Sequence, residues 1–293
     1  VLISGGGISD AAVASLTVSG YADLADAGGA GITLDATANF GTLTFNSTGA
    51  VSITEAGATA LAGVNTAGAL DLNSGGALTD AALASLTVTG NADFADAGGA
   101  GITLDGTNNF GTLTFNSTGA VALTESSATV LAGVSTADQL DLTSTGALSN
   151  DGTSNLTVTN AAAFDGASIA LGDQVGDSMN FGTLTVTSAG AVTVIENSAM
   201  VLAGATAGGD ATLTATSPLT VTGDVLVAGD LVLTAGEIAD APVFADDRTV
   251  NGGVLVQSTG GSVTLQAGDD VDVQAGATVT AAGAATLTAG FGD

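Results

Sequence analysis

The 293-residue sequence has no cysteine, histidine, lysine or tryptophan, and it has only one arginine, one tyrosine and two prolines. Without cysteine the chain can form neither disulfides nor thiolate metal sites. Nine phenylalanines and a single tyrosine are few aromatic side chains for a chain of this length. The core is therefore expected to be narrow and filled mainly by Ala, Val, Leu and Ile.

Positive charge is almost absent, because one basic residue stands against 29 acidic ones and gives a formal charge of −28. Nucleic-acid binding is not expected, because phosphate recognition depends on Lys and Arg. Anionic membrane surfaces would repel such a chain. No apolar run reaches the roughly 18 residues of a membrane span, so direct membrane insertion is not expected. The charge indicates either a solubilising surface or binding of divalent cations.

An internal repeat organises the sequence. NFGTLTFNSTGAV stands at 39–51 and again at 109–121, and NFGTLTVTSAGAV follows at 180–192. The period is 70 residues, as the spacing of Leu16 and Leu86 shows. Apolar residues alternate with polar ones over short runs bounded by Gly, Asn, Ser and Asp, a pattern typical of short strands with one buried face.

These features predict an all-β fold, a parallel β-solenoid built from repeats of about 70 residues with roughly three turns each. An array of separate β-sandwich domains is the alternative. Phe40, Phe45, Phe110 and Phe115 are expected to fill the interior. The predicted organisation is one continuous solenoid: 1–15 ends a preceding repeat, 16–85 is repeat 1, 86–155 is repeat 2, 156–224 is a divergent repeat 3, and 225–293 is a continuation with shorter turns.

Three segments carry a family resemblance: AGDLVLTAGE at 228–237, GGSVTLQAGDDVDVQAG at 260–276 and AATLTAG at 284–290. They resemble the Gly-punctuated turns of filamentous-haemagglutinin-like exoproteins, including two-partner-secreted and autotransporter adhesins. The resemblance implies a right-handed β-helix that is secreted or held on a bacterial cell surface. The ends of a solenoid are exposed strand edges that need a cap or a partner, so end-to-end association with itself or with neighbouring repeats is expected. Surface glycans or a receptor on a host or substratum are the other expected partners.

Acidic residues recur with the repeat and form two series. Glu55, Glu125 and Glu196 are one. The other is the set of candidate Ca²⁺ ligands: Asp23, Asp26 and Asp35, which return as Asp93, Asp96 and Asp105. Three turns would place equivalent acids about 14 Å apart along the axis, too far to share an ion. A calcium site would therefore combine acids of one repeat, such as Asp93 and Asp96, with carbonyls of 97–101; ordinary solvated turns are the alternative.

Catalytic residues are sparse. Arg248 stands beside Asp246 and Asp247, and a hydrolase could use these acids or the pair Asp269 and Asp270. A local ion pair at Arg248 is the simpler interpretation, so no enzymatic activity is expected.

The sequence thus favours a structural or adhesive extracellular repeat protein that forms a rigid rod or filament on the cell surface. A module that binds Ca²⁺ or glycans on loops at 93–101 or 165–177 is the alternative, and a β-helix carbohydrate-active enzyme is a further one. The segments Asn46-Ser47-Thr48 and Asn116-Ser117-Thr118 match the glycosylation acceptor pattern, which also arises by chance.

Overall fold

A computed structural model describes residues 1–237 and 247–290. Those residues form β-strands and turns, and they include no helix, hence none that could cross a membrane. The chain divides into two compact units, Val1–Thr145 and Gly146–Asp293. Each is a parallel β-solenoid, and together they hold about 13 turns. The predicted fold class is confirmed.

Unit 1 contains strands β1 to β16. Their bounds are β1 Leu2–Ser4, β2 Ile8–Ser9, β3 Ser15–Asp26, β4 Ile32–Ser47, β5 Ala50–Glu55, β6 Thr59–Leu61, β7 Val64–Ala67, β8 Ala69–Ser74, β9 Leu78–Asp80, β10 Ser85–Asp96, β11 Ile102–Leu104, β12 Thr107–Ser117, β13 Ala120–Glu125, β14 Thr129–Leu131, β15 Val134–Ala137 and β16 Gln139–Ser144.

The described part of unit 2 contains strands β17 to β32. Their bounds are β17 Ala147–Asn150, β18 Asn155–Gly166, β19 Ser168–Leu171, β20 Ser178–Ser188, β21 Val192–Glu196, β22 Met200–Ala207, β23 Ala211–Ala215, β24 Leu219–Val221, β25 Val225–Val227, β26 Leu231–Ala235, β27 Arg248–Val250, β28 Leu255–Ser258, β29 Val263–Gln266, β30 Val271–Val273, β31 Thr278–Ala281 and β32 Ala285–Thr288.

The core of unit 1 is a set of aliphatic ladders. Because side chains alternate between the two faces of a strand, each turn places every second residue in the interior. One ladder of directly paired, buried residues runs through seven turns: Ile8, Ile32, Val51, Leu70, Ala92, Leu113 and Leu131. Removing these side chains from water is the main force that holds successive turns together.

Phenylalanines complete the interior, as the sequence predicted. Phe45 and Phe115 are fully buried, while Phe40 and Phe110 are 3% and 4% exposed. Phe94 pairs with Phe115 on the next turn and packs edge-to-face against Phe110, with ring centroids 5.5 Å apart. A narrow bore accommodates these few rings without needing a broad aromatic core.

The repeated NFG motif bends a continuous strand. Pairing of β3 with β4 shifts register between Val18 and Tyr21, and Gly41 lies opposite this bulge. A Cβ atom on Gly41 would lie 2.5 Å from the carbonyl oxygen of Ser19, and one on Gly111 would lie 2.5 Å from that of Thr89. Glycine is required because the backbones of two turns approach too closely for any side chain.

The repeat does not contain a whole number of turns. Ala25 pairs with Asn46, Asn46 with Thr66, and Thr66 with Thr87, so three turns end 62 residues after Ala25. The equivalent of Ala25, which is Ala95, lies eight residues further on and belongs to another ladder, between Asn73 and Asn116. Equivalent residues of two repeats therefore lie in different ladders and do not stack directly above one another. The turns along this ladder are 20 or 21 residues long, so a whole number of them does not add up to 70.

Candidate functional site

Two of the candidate calcium ligands, Asp26 and Asp96, stabilise turns. Asp26 ends β3, and its Oδ2 accepts hydrogen bonds from the N–H of Gly31 at 2.6 Å and the hydroxyl of Ser47 at 3.0 Å. Its Oδ1 accepts from the N–H of Gly28 at 3.1 Å. These bonds, that from Gly31 above all, lower the pKa of Asp26. Asp96 makes the same contacts with Gly98, Gly101 and Ser117.

Asp23 and Asp93 lie on the opposite, outer face of the same strands. Burial alternates along β3 and β10, so Asp93 is half-buried and directed outward whereas Asp96 is directed inward. Asp93 pairs directly with Asp71 of the preceding turn. Partial burial raises the pKa of Asp93, and the charge of Asp71 raises it further.

Asp35 and Asp105 are exposed, and the acids that contact them escaped the sequence analysis. Oδ1 of Asp80 accepts the N–H of Asp105 at 3.1 Å, and Asp10 does the same for Asp35 at 3.3 Å. Burial raises the pKa of Asp80. Asp10 and Asp80 are 70 residues apart, and this recurrence could have identified them as a further repeated pair of acids.

The structure does not bring the six candidate acids together. Asp93 and Asp96 lie on opposite faces of β10, and the loop at 97–101 directs N–H groups rather than carbonyls at Asp96. Among residues 1–237 and 247–290, no cluster of three or more acidic side chains has the geometry to hold a metal ion. Calcium binding at these positions stays a prediction.

The glutamate series has a shared role that the sequence analysis did not identify. Oε1 of each glutamate accepts the backbone N–H of the phenylalanine 15 residues earlier: Glu55 from Phe40 at 2.6 Å, Glu125 from Phe110 at 2.9 Å and Glu196 from Phe181 at 2.9 Å. All three glutamates are buried. The constant offset from the NFG motif was the signal that could have revealed these pairs.

The three glutamates differ at their second oxygen. Oε2 of Glu125 accepts the Thr129 hydroxyl at 2.7 Å. At the equivalent of Thr129 the third copy has Met200, and Oε2 of Glu196 has no hydrogen-bond partner within the described residues. Burial raises the pKa of Glu196 to about 7, and it also raises the pKa of Glu55.

Arg248 lies inside unit 2 rather than at its surface. Its side chain is fully buried in a ladder between Leu219 and Val271. Nη2 donates to the carbonyl oxygens of Leu233 and Gln266, whereas Nε and Nη1 have no hydrogen-bond partner among residues 1–237 and 247–290. Burial lowers its pKa to about 9. This guanidinium has no solvent contact through which it could reach a substrate.

The acids named beside Arg248 are placed only in part. Asp246 lies outside the described residues. Asp247 and Asp270 belong to adjacent turns, and Oδ1 of Asp247 accepts the N–H of Asp270 at 3.3 Å. Like Asp26 and Asp80, Asp247 therefore holds backbone of a neighbouring segment.

Parallel ladders, buried aliphatic rows and turn-binding carboxylates define a β-solenoid repeat protein. The chain belongs to the family described as repeats of unknown function (DUF5649), whose sequence profile matches residues 1–47, 48–116 and 118–178. Searches of curated proteins and of solved structures found no match.

Proposed function

We propose that this chain is a structural segment of a secreted or surface-held protein, and that its exterior serves in adhesion. Its solenoid would hold binding determinants, which lie elsewhere or on its own loops, at fixed positions outside the cell. It would need no cofactor and would catalyse no reaction.

The observation that carries the proposal is the stacking of the three exoprotein-like segments. The central strands of AGDLVLTAGE, GGSVTLQAG and AATLTAG are β26, β29 and β32, and they pair in register on successive turns. Leu233, Leu265 and Leu287 form one ladder, so each segment supplies one rung of the same sheet. Stacking of these motifs as successive rungs is what the resemblance implies for a β-helix, and it supports the proposal.

The distribution of polar groups supports a structural rather than a catalytic role. Glu55, Asp26 and Asp80 use their carboxylates to accept backbone N–H groups of neighbouring segments. The remaining acidic surface keeps the chains soluble and separate through mutual repulsion. Partners would be neighbouring repeats, surface glycans or a receptor on the substratum.

Surface exposure and adhesion can be tested on the producing cells. Intact cells would be treated with a protease that cannot enter them, and the chain would be followed by immunoblot beside a cytoplasmic marker. The proposal predicts loss of the chain while the marker survives, and weaker attachment of cells that lack the gene. If the chain resists the protease in intact cells but is digested once the cells are lysed, that result would contradict surface exposure. Unchanged attachment would contradict adhesion alone.

A further inference from the structure

Two equivalent grooves line the outer face of unit 1. One is bordered by Ala25, Asn46, Thr48 and Thr66 and has a volume of about 230 Å³. The other is bordered by the repeat equivalents Ala95, Asn116, Thr118 and Thr136, with about 260 Å³. Each groove contains one of the two Asn-Ser-Thr segments. Because the two grooves occupy equivalent positions, the groove is a feature of the repeat and not of one loop.

Each groove exists because a small residue precedes the asparagine in its ladder. Asn46 pairs with Ala25 on the preceding turn and with Thr66 on the following turn. Asn116 pairs in the same way with Ala95 and Thr136. Alanine leaves open space beside the outward-directed amide, where a longer side chain would fill it.

The amide nitrogen is left free to react. The hydroxyl of Thr66 donates to Oδ1 of Asn46 at 3.2 Å, and that of Thr136 donates to Oδ1 of Asn116 at 3.2 Å. These bonds fix the amide oxygens, and within residues 1–145, all of them described, neither Nδ2 has a hydrogen-bond partner. The +2 residues Thr48 and Thr118 are exposed.

The third copy has different residues at the positions of the alanine, the asparagine and the +2 threonine. Its ladder reads Asp165, Thr187 and Thr206, so the groove-forming alanine is replaced by aspartate and the asparagine by threonine. The +2 residue is Ala189. The acceptor sequence and the groove-forming alanine are thus present together in two copies and absent together in the third.

We propose that Asn46 and Asn116 are attachment sites for N-linked sugars, and that the groove at each site accommodates the first sugar. In the modification, Nδ2 would attack the anomeric carbon of a sugar that is activated by a nucleoside diphosphate or a lipid diphosphate. The N–C bond forms as the bond from that carbon to the phosphate oxygen breaks, and the diphosphate leaves with the bonding electrons. The amide proton passes to a base of the transferase. No oxidant or reductant is required.

Mass mapping of the native protein tests this assignment. The chain would be purified from its producing cells and digested with proteases that cleave at acidic residues, because a single arginine leaves trypsin almost no sites. Fragmentation that preserves the glycosidic bond would locate any added mass. We expect a hexose or N-acetylhexosamine mass on Asn46 and Asn116, and none on Asn73, Asn91 or Asn109. Unmodified peptides at both sites, or sugar on Ser47 or Thr48 instead, would overturn the proposal.

Variants expressed in the same cells separate the acceptor pattern from the groove. T48A and T118A keep each asparagine and are expected to abolish the added mass at the altered site only. The substitutions T187N and A189T create the pattern in the third copy, and D165A restores the groove. We expect a third modified residue in the triple variant and less modification without D165A. Sugar that persists on Asn46 in T48A would contradict the assignment, and equal modification with and without D165A would contradict the role of the groove.

Discussion

Oε1 of Glu196 accepts the backbone N–H of Phe181 at 2.9 Å, across a separation of 15 residues. Glu196 therefore lies beside the bend that the NFG motif makes at Phe181. Glu55 with Phe40 and Glu125 with Phe110 repeat the arrangement. A buried carboxylate thus satisfies an N–H group that would otherwise lack a partner at each bend.

Replacing Glu196 with glutamine should stabilise the protein at alkaline pH. Its pKa is about 7 in the folded chain and 4.5 ordinarily, so the folded state binds the proton more tightly. Protonation of Glu196 therefore stabilises the folded state; this contribution is complete below pH 4.5 and is lost as pH rises through about 7. E196Q keeps an acceptor for Phe181 without the charge, so its free energy of unfolding should exceed the wild-type value by about 3 kcal/mol at pH 8. The difference should vanish near pH 4; urea unfolding at both pH values measures it.

E125Q is the matched control, because the second oxygen of Glu125 accepts the Thr129 hydroxyl. Replacing that oxygen with an NH₂ group removes the acceptor, so E125Q should be less stable than the wild type by about 1–3 kcal/mol. If E196Q were instead less stable than the wild type at pH 8, that result would contradict the conclusion that burial raises the pKa of Glu196.

The glycine of the NFG motif should not tolerate a side chain. A Cβ atom at Gly111 would lie 2.5 Å from the carbonyl oxygen of Thr89, whereas at Gly204 the nearest atom would be 3.7 Å away. G111A should lower the free energy of unfolding by about 1–3 kcal/mol, and G204A should have a much smaller effect. Thermal unfolding of the two variants compares them directly, and equal melting temperatures would argue against close packing of the turns.

Asp96 should stabilise its turn without a metal ion. D96A removes the acceptor for the N–H groups of Gly98 and Gly101. Gly101 is buried, so leaving its N–H unpaired should cost about 1–3 kcal/mol, whereas Gly98 is exposed and its N–H can bind water. Chelation with EDTA should leave the melting temperature of the wild type unchanged. A fall in that temperature, reversed by Ca²⁺ and absent in D96A, would instead support the calcium site predicted at this residue.

Removing the buried charge of Arg248 should stabilise unit 2. In the part of the chain that the structure describes, Nε and Nη1 of Arg248 have no hydrogen-bond partner. Methionine has a similar length without the charge, so R248M should raise the free energy of unfolding by at least about 1 kcal/mol. R248K keeps a buried charge and should not raise the free energy of unfolding. A less stable R248M would show that the guanidinium bonds to Leu233 and Gln266 outweigh its desolvation.

The period-two pattern predicted the solenoid and the interior phenylalanines, because alternation alone decides which side chains face the core. It could not predict that Ala25 and Ala95 occupy different ladders, since turn length depends on how many residues each corner takes. The pairing of Glu55 with Phe40 was missed for the same reason. Asp93 and Asp96 were grouped as possible ligands because they are close in sequence, but strand alternation separates their side chains.

Cross-linking between adjacent turns tests the parallel ladder most directly, since the natural chain contains no cysteine to interfere. Thr33 pairs with Ser52 on the next turn, and both side chains face outward. Parallel strands about 4.8 Å apart bring these Cα atoms within the range of a disulfide. The double variant T33C/S52C should form an intrachain disulfide on mild oxidation, whereas T33C/T103C, which joins equivalent positions of two repeats in different ladders, should not. Failure of the first pair together with efficient closure of the second would contradict the solenoid register.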